Sequence, residues 1–144
     1  MTTALTRAVA RLLLAPTFVV AGAFLVKGYA DVGDGFTAGV VAALGVLAQF
    51  LAFGEEEAGR LRVVRYALPA AFAGLLLALV VAFQPVLRGE PILTHSPAAG
   101  ADVVRVGTLE LTTAVLFDVG VFLLVYGASV GIIRAVARAG RGPE

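Results

Sequence analysis

Apolar residues dominate four stretches of the chain, and charged residues gather in the segments between them. The stretches cover residues 10–27, 36–54, 66–87 and 109–133. A helix needs about 20 residues to cross a ~30 Å hydrocarbon layer, so these lengths suit membrane spans. Lipid offers the backbone no hydrogen-bond partners, which restricts such spans to helices here. The pattern predicts an all-α, integral membrane bundle of four transmembrane helices, forming one membrane domain over residues 1–144.

The composition favours this class and argues against most soluble ones. Hydrophobic residues make up 60% of the chain and charged residues 15%, whereas soluble domains carry about 25% charged residues. Eleven Lys and Arg against ten Asp and Glu give a net charge of +1, too balanced for a nucleic-acid binder. The chain has no cysteine and one histidine, His95, to which we assign no role. Without a hydrolytic triad, phosphate loop or zinc spacing, we expect no enzymatic activity, no metal and no cofactor.

Basic residues are distributed unequally between the two sides of the predicted spans. One side carries Lys27, Arg88 and Arg105, and the other carries eight arginines: Arg7, Arg11, Arg60, Arg62, Arg65, Arg134, Arg138 and Arg141. Cytoplasmic loops of membrane proteins are enriched in Lys and Arg, so both termini and the 55–65 loop are predicted to be cytoplasmic. A signal peptide at the first span is disfavoured, because no convincing small-residue cleavage site precedes a polar start. We therefore expect a multi-pass protein of the cell membrane.

Two connections lie on the predicted outer side. Residues 28–35 form a short turn rich in glycine and aspartate, and residues 88–108 form a longer outer loop. Within the longer loop, Ile92–Thr94 and Val103–Val106 have the composition of short strands. We predict that these two segments pair as a small hairpin.

Asp118 is the most informative polar residue of the spans. It lies nine positions after Leu109, at a depth of ~13 Å in a fourth span of about 37 Å. A carboxylate there costs ~2.5–3.5 kcal/mol, so it should face protein or water rather than lipid. One interpretation is a proton or cation relay, and the other is a carboxylic acid that hydrogen-bonds a neighbouring helix or subunit. Gln49 and Gln84 are expected to form interhelical hydrogen bonds.

Four charged residues gather at the outer ends of the spans: Lys27, Asp31, Asp34 and Glu110. Each has a simple structural interpretation. Lys27 can anchor the first span at the interface, the two aspartates can form the turn, and Glu110 can favour a helix N-terminus. Together they form an outer polar cluster that could attract cations to the mouth of a pathway.

Small residues mark packing faces on two spans. Gly120, Gly127 and Gly131 fall within about 40° of one another on the fourth span, while Asp118 lies about 200° from Gly120. The second span presents a comparable face of small residues that includes Gly35 and Gly39. We expect one four-helix chain to cover one face of the fourth span but not both. The pattern therefore favours a larger assembly, with a homodimer as the alternative.

Two segments resemble the B-type member of the multisubunit Mrp-type, or Mnh-type, cation/proton antiporters. Thr112–Gly127 contains LFDVG, which is similar to a transmembrane segment of that family. Asp31–Val41 is similar to its glycine-rich turn, which is followed by Phe and small residues. The matching positions are Gly33, Gly35, Phe36 and Gly39, whereas Asp34 and Ala38 stand where glycine is expected or common.

The resemblance implies a small subunit of a hetero-oligomeric secondary antiporter that exchanges Na+ or another monovalent cation for protons. Its partners would be the other membrane subunits, of which the large ones resemble respiratory complex I and are thought to hold the proton channels. Asp118 is the first candidate for an ion relay or an intersubunit contact, and Glu110 is the second, as an outer gate. Two alternatives stay open: a B-like subunit of an ion-translocating membrane hydrogenase, and a self-contained homodimeric channel or transporter.

Overall fold

The computed structural model describes residues 3–27, 34–95, 104–106, 109–111 and 113–140. Along these residues run α1 (Ala4–Lys27), α2 (Asp34–Ala58), α3 (Arg62–Arg65), α4 (Ala67–Phe83), β1 (Val104–Val106), β2 (Leu109–Leu111) and α5 (Thr113–Ala139). A 3₁₀ turn, Gln84–Arg88, extends α4.

Four of these segments are long and apolar enough to cross a membrane: Ala4–Lys27, Asp34–Ala58, Ala67–Arg88 and Thr113–Ala139. The prediction of four membrane-length helices is therefore confirmed. Helix α1 begins six residues before the expected boundary at residue 10, which places Pro16 well past the first turn of the helix. Because proline has no N–H, α1 lacks one backbone hydrogen bond at that point.

A short antiparallel hairpin precedes α5 and corrects the expected structure of this region. β1 pairs with β2, and Arg105 lies opposite Glu110. The predicted pairing of residues 103–106 with 92–94 was wrong, and so was the helical start of the fourth span at Leu109. Only two residues separate β1 from β2, and such a short connection favours pairing between adjacent segments. Leu93 instead adopts a positive φ of 65°, which is incompatible with a strand.

The four long helices pack side by side in a row, in the order α1, α2, α5, α4. The inner helices α2 and α5 run in the same direction, while α1 and α4 run in the opposite direction on either side of them. This row refines the expected bundle, because α1 and α4 lie at its two ends. An ion pair marks each end of the helices. We call the end with the ion pair of Lys27 and Asp34 the Asp34 end. We call the end with the ion pair of Glu55 and Arg138 the Glu55 end.

Small side chains fill the interfaces between the helices. The buried face of α2 consists largely of glycine and alanine, as does that of α4, at intervals of three or four residues. The large side chains of α4, such as Phe72 and Leu76, lie on its exposed face. Lipid tails are as apolar as leucine, so burial of large apolar side chains gains little in a membrane. Close backbone packing of small residues therefore holds such helices together.

Larger side chains form a core towards the Glu55 end of the row. The buried cluster includes Val46, Phe50, Tyr126 and Val130. The Tyr126 ring lies edge-on to Phe18 at 5.8 Å between centroids, which joins α1 to α5. Its hydroxyl group donates a hydrogen bond of 2.7 Å to the carbonyl oxygen of Val63, just before α4. Tyr126 thus connects three parts of the row through one side chain.

Candidate functional site

Asp118 is buried between the two inner helices and is only 7% exposed. It faces Gly35, the second residue of α2. A Cβ atom added to Gly35 would collide with the backbone carbonyl oxygen of Asp118. One turn later, a Cβ on Gly39 would lie 2.9 Å from that of Val125. The absence of side chains at Gly35 and Gly39 therefore allows α2 to lie directly against the helix that carries Asp118.

The position of Asp118 along its helix differs from the expected one. Because α5 begins at Thr113, Asp118 lies only five positions after its start, a rise of about 7.5 Å rather than ~13 Å. Asp118 therefore lies close to the Asp34 end. Thr113 itself lies near His95, with 3.4 Å between its hydroxyl oxygen and Nδ1 of the ring. His95, to which we assigned no role from the sequence, thus contacts the first turn of α5.

The opposite face of α5 packs against α4. A Cβ on Gly74 would lie 2.5 Å from the carbonyl oxygen of Gly120, and a Cβ on Gly127 would collide with that of Ala67. At Gly131 the helices are farther apart, since the nearest atom to an added Cβ would be Cδ1 of Leu68, at 4.0 Å. The expectation that one chain could not cover both faces of α5 was wrong. α2 covers the side of Asp118 and α4 covers the side of Gly120 and Gly127, because α5 lies inside the row.

Two of the four residues of the predicted outer polar cluster, Lys27 and Asp34, lie close together in the structure. Nζ of Lys27, the last residue of α1, lies 3.9 Å from Oδ2 of Asp34, the first residue of α2. Gly35 follows Asp34 directly, so this ion pair lies at the same end of the row as Asp118. Asp31 lies outside the described residues. The structure describes only the backbone of Glu110, which belongs to β2 and not to the first turn of a helix as we expected.

A second charged cluster, which we missed in the sequence, lies at the Glu55 end. The Glu55 side chain is 13% exposed, and its Oε1 lies 3.0 Å from Nε of Arg138 and 3.7 Å from Nε of Arg134. Gly54 directly precedes it with φ 79° and ψ 174°, a conformation that only glycine adopts readily. The resulting kink in α2 precedes the contact between Glu55 and the end of α5. In the sequence, only the spacing of Arg134 and Arg138, one helical turn apart, indicated that both arginines could face a common acidic partner.

Two further contacts join α1 to α2. Nε2 of the buried Gln49 donates a hydrogen bond of 2.5 Å to the carbonyl oxygen of Ala10. The predicted interhelical hydrogen bond at Gln49 is thereby confirmed. Nearer the Glu55 end, Arg11 forms an ion pair of 3.1 Å with Glu57 and lies over the Phe53 ring at 4.9 Å. Within the described part of the chain, no group of three or more His, Asp or Glu residues could hold a metal ion.

Residues 5–131 match the family described as a domain related to the MnhB subunit of Na+/H+ antiporter. The chain belongs to this MnhB-related family. The resemblance inferred from Asp31–Val41 and Thr112–Gly127 is therefore confirmed. Asp118 and Glu55 lie inside the matched region, whereas Arg134 and Arg138 lie beyond it.

Several named relatives are similar to this MnhB-related chain. A probable K+/H+ antiporter A/B subunit of Rhizobium meliloti (strain 1021) is 36% identical over 124 residues, which cover 84% of this chain and 12% of that protein. The Na+/H+ antiporter B subunit of Bacillus subtilis (strain 168) is 33% identical over 115 residues, 76% of each chain. A protein of the same name from Alkalihalophilus pseudofirmus is also 33% identical, over 76% of this chain and 75% of its own. The chain thus spans about an eighth of the first relative and three quarters of the other two.

Proposed function

We propose that this chain is a small integral membrane subunit of a multisubunit monovalent cation/proton antiporter, with no catalytic activity of its own. The observation that carries the proposal is the match of residues 5–131 to the MnhB-related family. Relatives named as B subunits of Na+/H+ antiporters, covered over three quarters of their length, support it. The relatives' names differ in the cation, K+ in one and Na+ in two, so both ions are candidates for transport with H+.

The proposed partners are the other membrane subunits of the antiporter and the surrounding bilayer. The row of helices supports this, because α1 and α4 at its ends do not close it into a ring. An ion path bordered by this chain would need a second polypeptide as its other wall. The exposed apolar faces of α1 and α4 offer surfaces for such contacts or for lipid.

We propose Asp118 as the residue of this chain that takes part in the ion path or in an intersubunit contact. A buried carboxyl group in a membrane helix is costly, and such residues commonly serve proton or ion pathways. The ion pair of Lys27 and Asp34 lies at the same end of the row and would affect the electric field at the entrance. Asp31 and Glu110 stay candidates for the same entrance, with Glu110 as an outer gate.

The test substitutes Asp118→Asn in the assembled complex, which preserves the size of the side chain and removes its charge. We expect the yield of complex to be unchanged and Na+/H+ or K+/H+ exchange in vesicles to fall about tenfold or more, as for loss of a proton-transfer group. The matched control is Glu90→Gln, which removes a carboxylate from an exposed position at the Asp34 end. Its exchange activity should equal that of the wild type.

Other results would assign Asp118 differently. Loss of the complex with Asp118→Asn would indicate an assembly role, and unchanged exchange would exclude it from the ion path. The mass of the native detergent-solubilised particle tests the proposed place in a multisubunit complex separately. Several unlike chains are expected, whereas a particle of two identical chains that conducts ions after reconstitution would favour the homodimeric alternative.

We also propose that both termini lie in the cytoplasm. The Glu55 end of the row carries Arg7, Arg11, Arg134 and Arg138, whereas Lys27 and Arg88 lie towards the Asp34 end. A basic excess of this kind is typical of the cytoplasmic side of membrane proteins. The proposed location is the cell membrane.

A further inference from the structure

A groove of about 420 Å³ opens between α4 and α5 near the Glu55 end. It exists because the two helices separate along their length. At Gly127 the backbone of α5 lies directly against Ala67 and Ala71 of α4. One turn later, at Gly131, the nearest atom to an added Cβ is Leu68 Cδ1 at 4.0 Å. The helices therefore leave an open cleft where α5 approaches its end.

Three arginines line this groove: Arg65 from α3, and Arg134 and Arg138 from α5. Among the described residues that line it, none is acidic. Glu55 lies close by, but its one carboxylate pairs with both Arg134 and Arg138. Among the described residues, three guanidinium groups against this one carboxylate give an excess of two positive charges. The groove therefore favours an anion.

The guanidinium groups keep donors for such an anion. Within the described residues, Arg65 forms no ion pair, and its guanidinium lies 5.8 Å from the Tyr66 ring. Nε of Arg134 is buried and makes no hydrogen bond to a described residue, and Glu55 lies beyond hydrogen-bond distance at 3.7 Å. Arginine has five N–H donors in a planar arrangement that matches the oxygens of a phosphate group. An anion with several oxygens suits this set of donors.

The groove also has an apolar part on the side that faces the surrounding bilayer. Leu68 and Ile132 line it and are 56% and 65% exposed. Along the chain, Leu68 lies three residues after Arg65 and Ile132 lies two residues before Arg134, so both apolar side chains lie farther from the Glu55 end than the neighbouring arginines. A lining that is basic at the membrane edge and apolar towards the membrane interior has the polarity of an anionic lipid, with its phosphate outermost and its acyl chain below. An inorganic anion would use only the basic part.

We propose that this groove binds one anionic phospholipid, with its phosphate group on Arg65, Arg134 and Arg138 and an acyl chain along Leu68 and Ile132. The lipid fills the cleft that α4 and α5 leave beyond Gly131, towards the Glu55 end, and its phosphate offsets one of the two excess positive charges. The proposal holds for either orientation in the membrane. It is also independent of cation exchange, so each proposal can fail without the other.

The test uses native mass spectrometry of the purified full-length chain with added phosphatidylglycerol or phosphatidylcholine at equal concentration. The wild type is expected to retain one phosphatidylglycerol per chain and several-fold less phosphatidylcholine. Arg65→Gln should lower the affinity for phosphatidylglycerol about fivefold, the effect expected for one arginine near an anionic headgroup. The matched control, Arg62→Gln, removes an equal charge from the same short helix outside the groove and should leave binding unchanged.

A second variant tests the groove without changing its charge. Ala135→Phe places an aromatic ring in the groove beside the arginines and should also reduce binding of phosphatidylglycerol. Equal retention of the two lipids, or equal effects of Arg62→Gln and Arg65→Gln, would overturn the proposal. A photo-crosslinker at residue 135 in the native complex should react with lipid. Capture of another polypeptide at that position would also overturn it.

Discussion

A carboxylic acid can occupy a membrane helix where the residues opposite it are small enough for another helix to cover it. Asp118 meets this condition through Gly35, whose missing side chain leaves room for the Asp118 backbone. Close approach of α2 covers this part of α5 and leaves the residue 7% exposed. The acidic residue and the small residue therefore depend on each other, although they lie 83 positions apart in the sequence.

We predict that Gly127→Ala destabilises the protein. Its Cβ would collide with the backbone of Ala67 and lie 2.6 Å from the amide nitrogen of Ala71, neither of which can move away by a rotamer change. The free energy of unfolding should fall by about 1–3 kcal/mol, the usual cost of overpacking a protein interior. Titration of the detergent-solubilised protein with sodium dodecyl sulfate, followed by circular dichroism, measures this change.

Gly131→Ala is the matched control for this prediction. It adds the same methyl group to the same face of α5, one turn later, where the nearest atom is 4.0 Å away. Its free energy of unfolding should stay within about 0.5 kcal/mol of the wild type. If the two variants are equally stable, α4 and α5 do not pack at Gly127 as the structure shows.

Among the elements, α1 depends most on a small set of polar contacts. It lies at one end of the row and packs mainly against α2, with few buried residues of its own. The hydrogen bond from Gln49 to Ala10 is buried within that interface. The ion pair of Arg11 with Glu57 is exposed, so water and salt weaken it. The Gln49 contact should therefore contribute more to the attachment of α1.

We predict that Gln49→Leu loosens α1 selectively. The substitution keeps a side chain of similar size and removes the amide donor, which should cost about 0.5–1.5 kcal/mol. Amide hydrogen exchange of the protein in detergent should become faster in α1 and stay unchanged in α5. The matched control is Gln84→Leu, the same change near the end of α4, which should not affect α1. Uniformly faster exchange in all four long helices would contradict the prediction.

The sequence predicted the long helices, which depend on local hydropathy, but not the hairpin, which depends on pairing between segments. Four apolar stretches indicated four helices, because lipid imposes that structure on any such segment. The start of α5 was misplaced, since Leu109 and Leu111 extend the apolar run of the helix that follows them. The pairing of this segment with β1 decides its conformation, and hydropathy carries no information on pairing. The kink at Gly54 was missed for a similar reason, because glycine is also compatible with a straight membrane helix.

At the scale of the whole molecule, the packing order of the helices could not be read from the sequence. The angular positions of Asp118 and Gly120 correctly indicated two occupied faces on α5. They could not indicate that the occupants are α2 and α4 of the same chain, because a helical projection shows a face but not its neighbour. The ion pair of Glu55 with Arg138 was missed on the same grounds, since it joins residues 83 positions apart.

The proposed orientation can be tested with single cysteines, because the natural chain has none. Glu90 is exposed near the Asp34 end, and Arg60 is exposed at the Glu55 end. A membrane-impermeant maleimide should label Glu90→Cys in intact cells and Arg60→Cys only after permeabilisation. The reverse pattern would place both termini outside the cytoplasm, contrary to the distribution of basic residues.

The left-handed backbone of Gly54 sets the rotational phase of Glu55 relative to the membrane part of α2. Each residue added to or removed from the helix between Gly35 and Gly54 would turn everything after it by about 100° and shift it by about 1.5 Å. Glu55 would then point away from Arg138 while Gly35 still faced Asp118. The distance in sequence between the two glycines is therefore fixed by geometry at both edges of the membrane, and homologues should tolerate no insertion or deletion there.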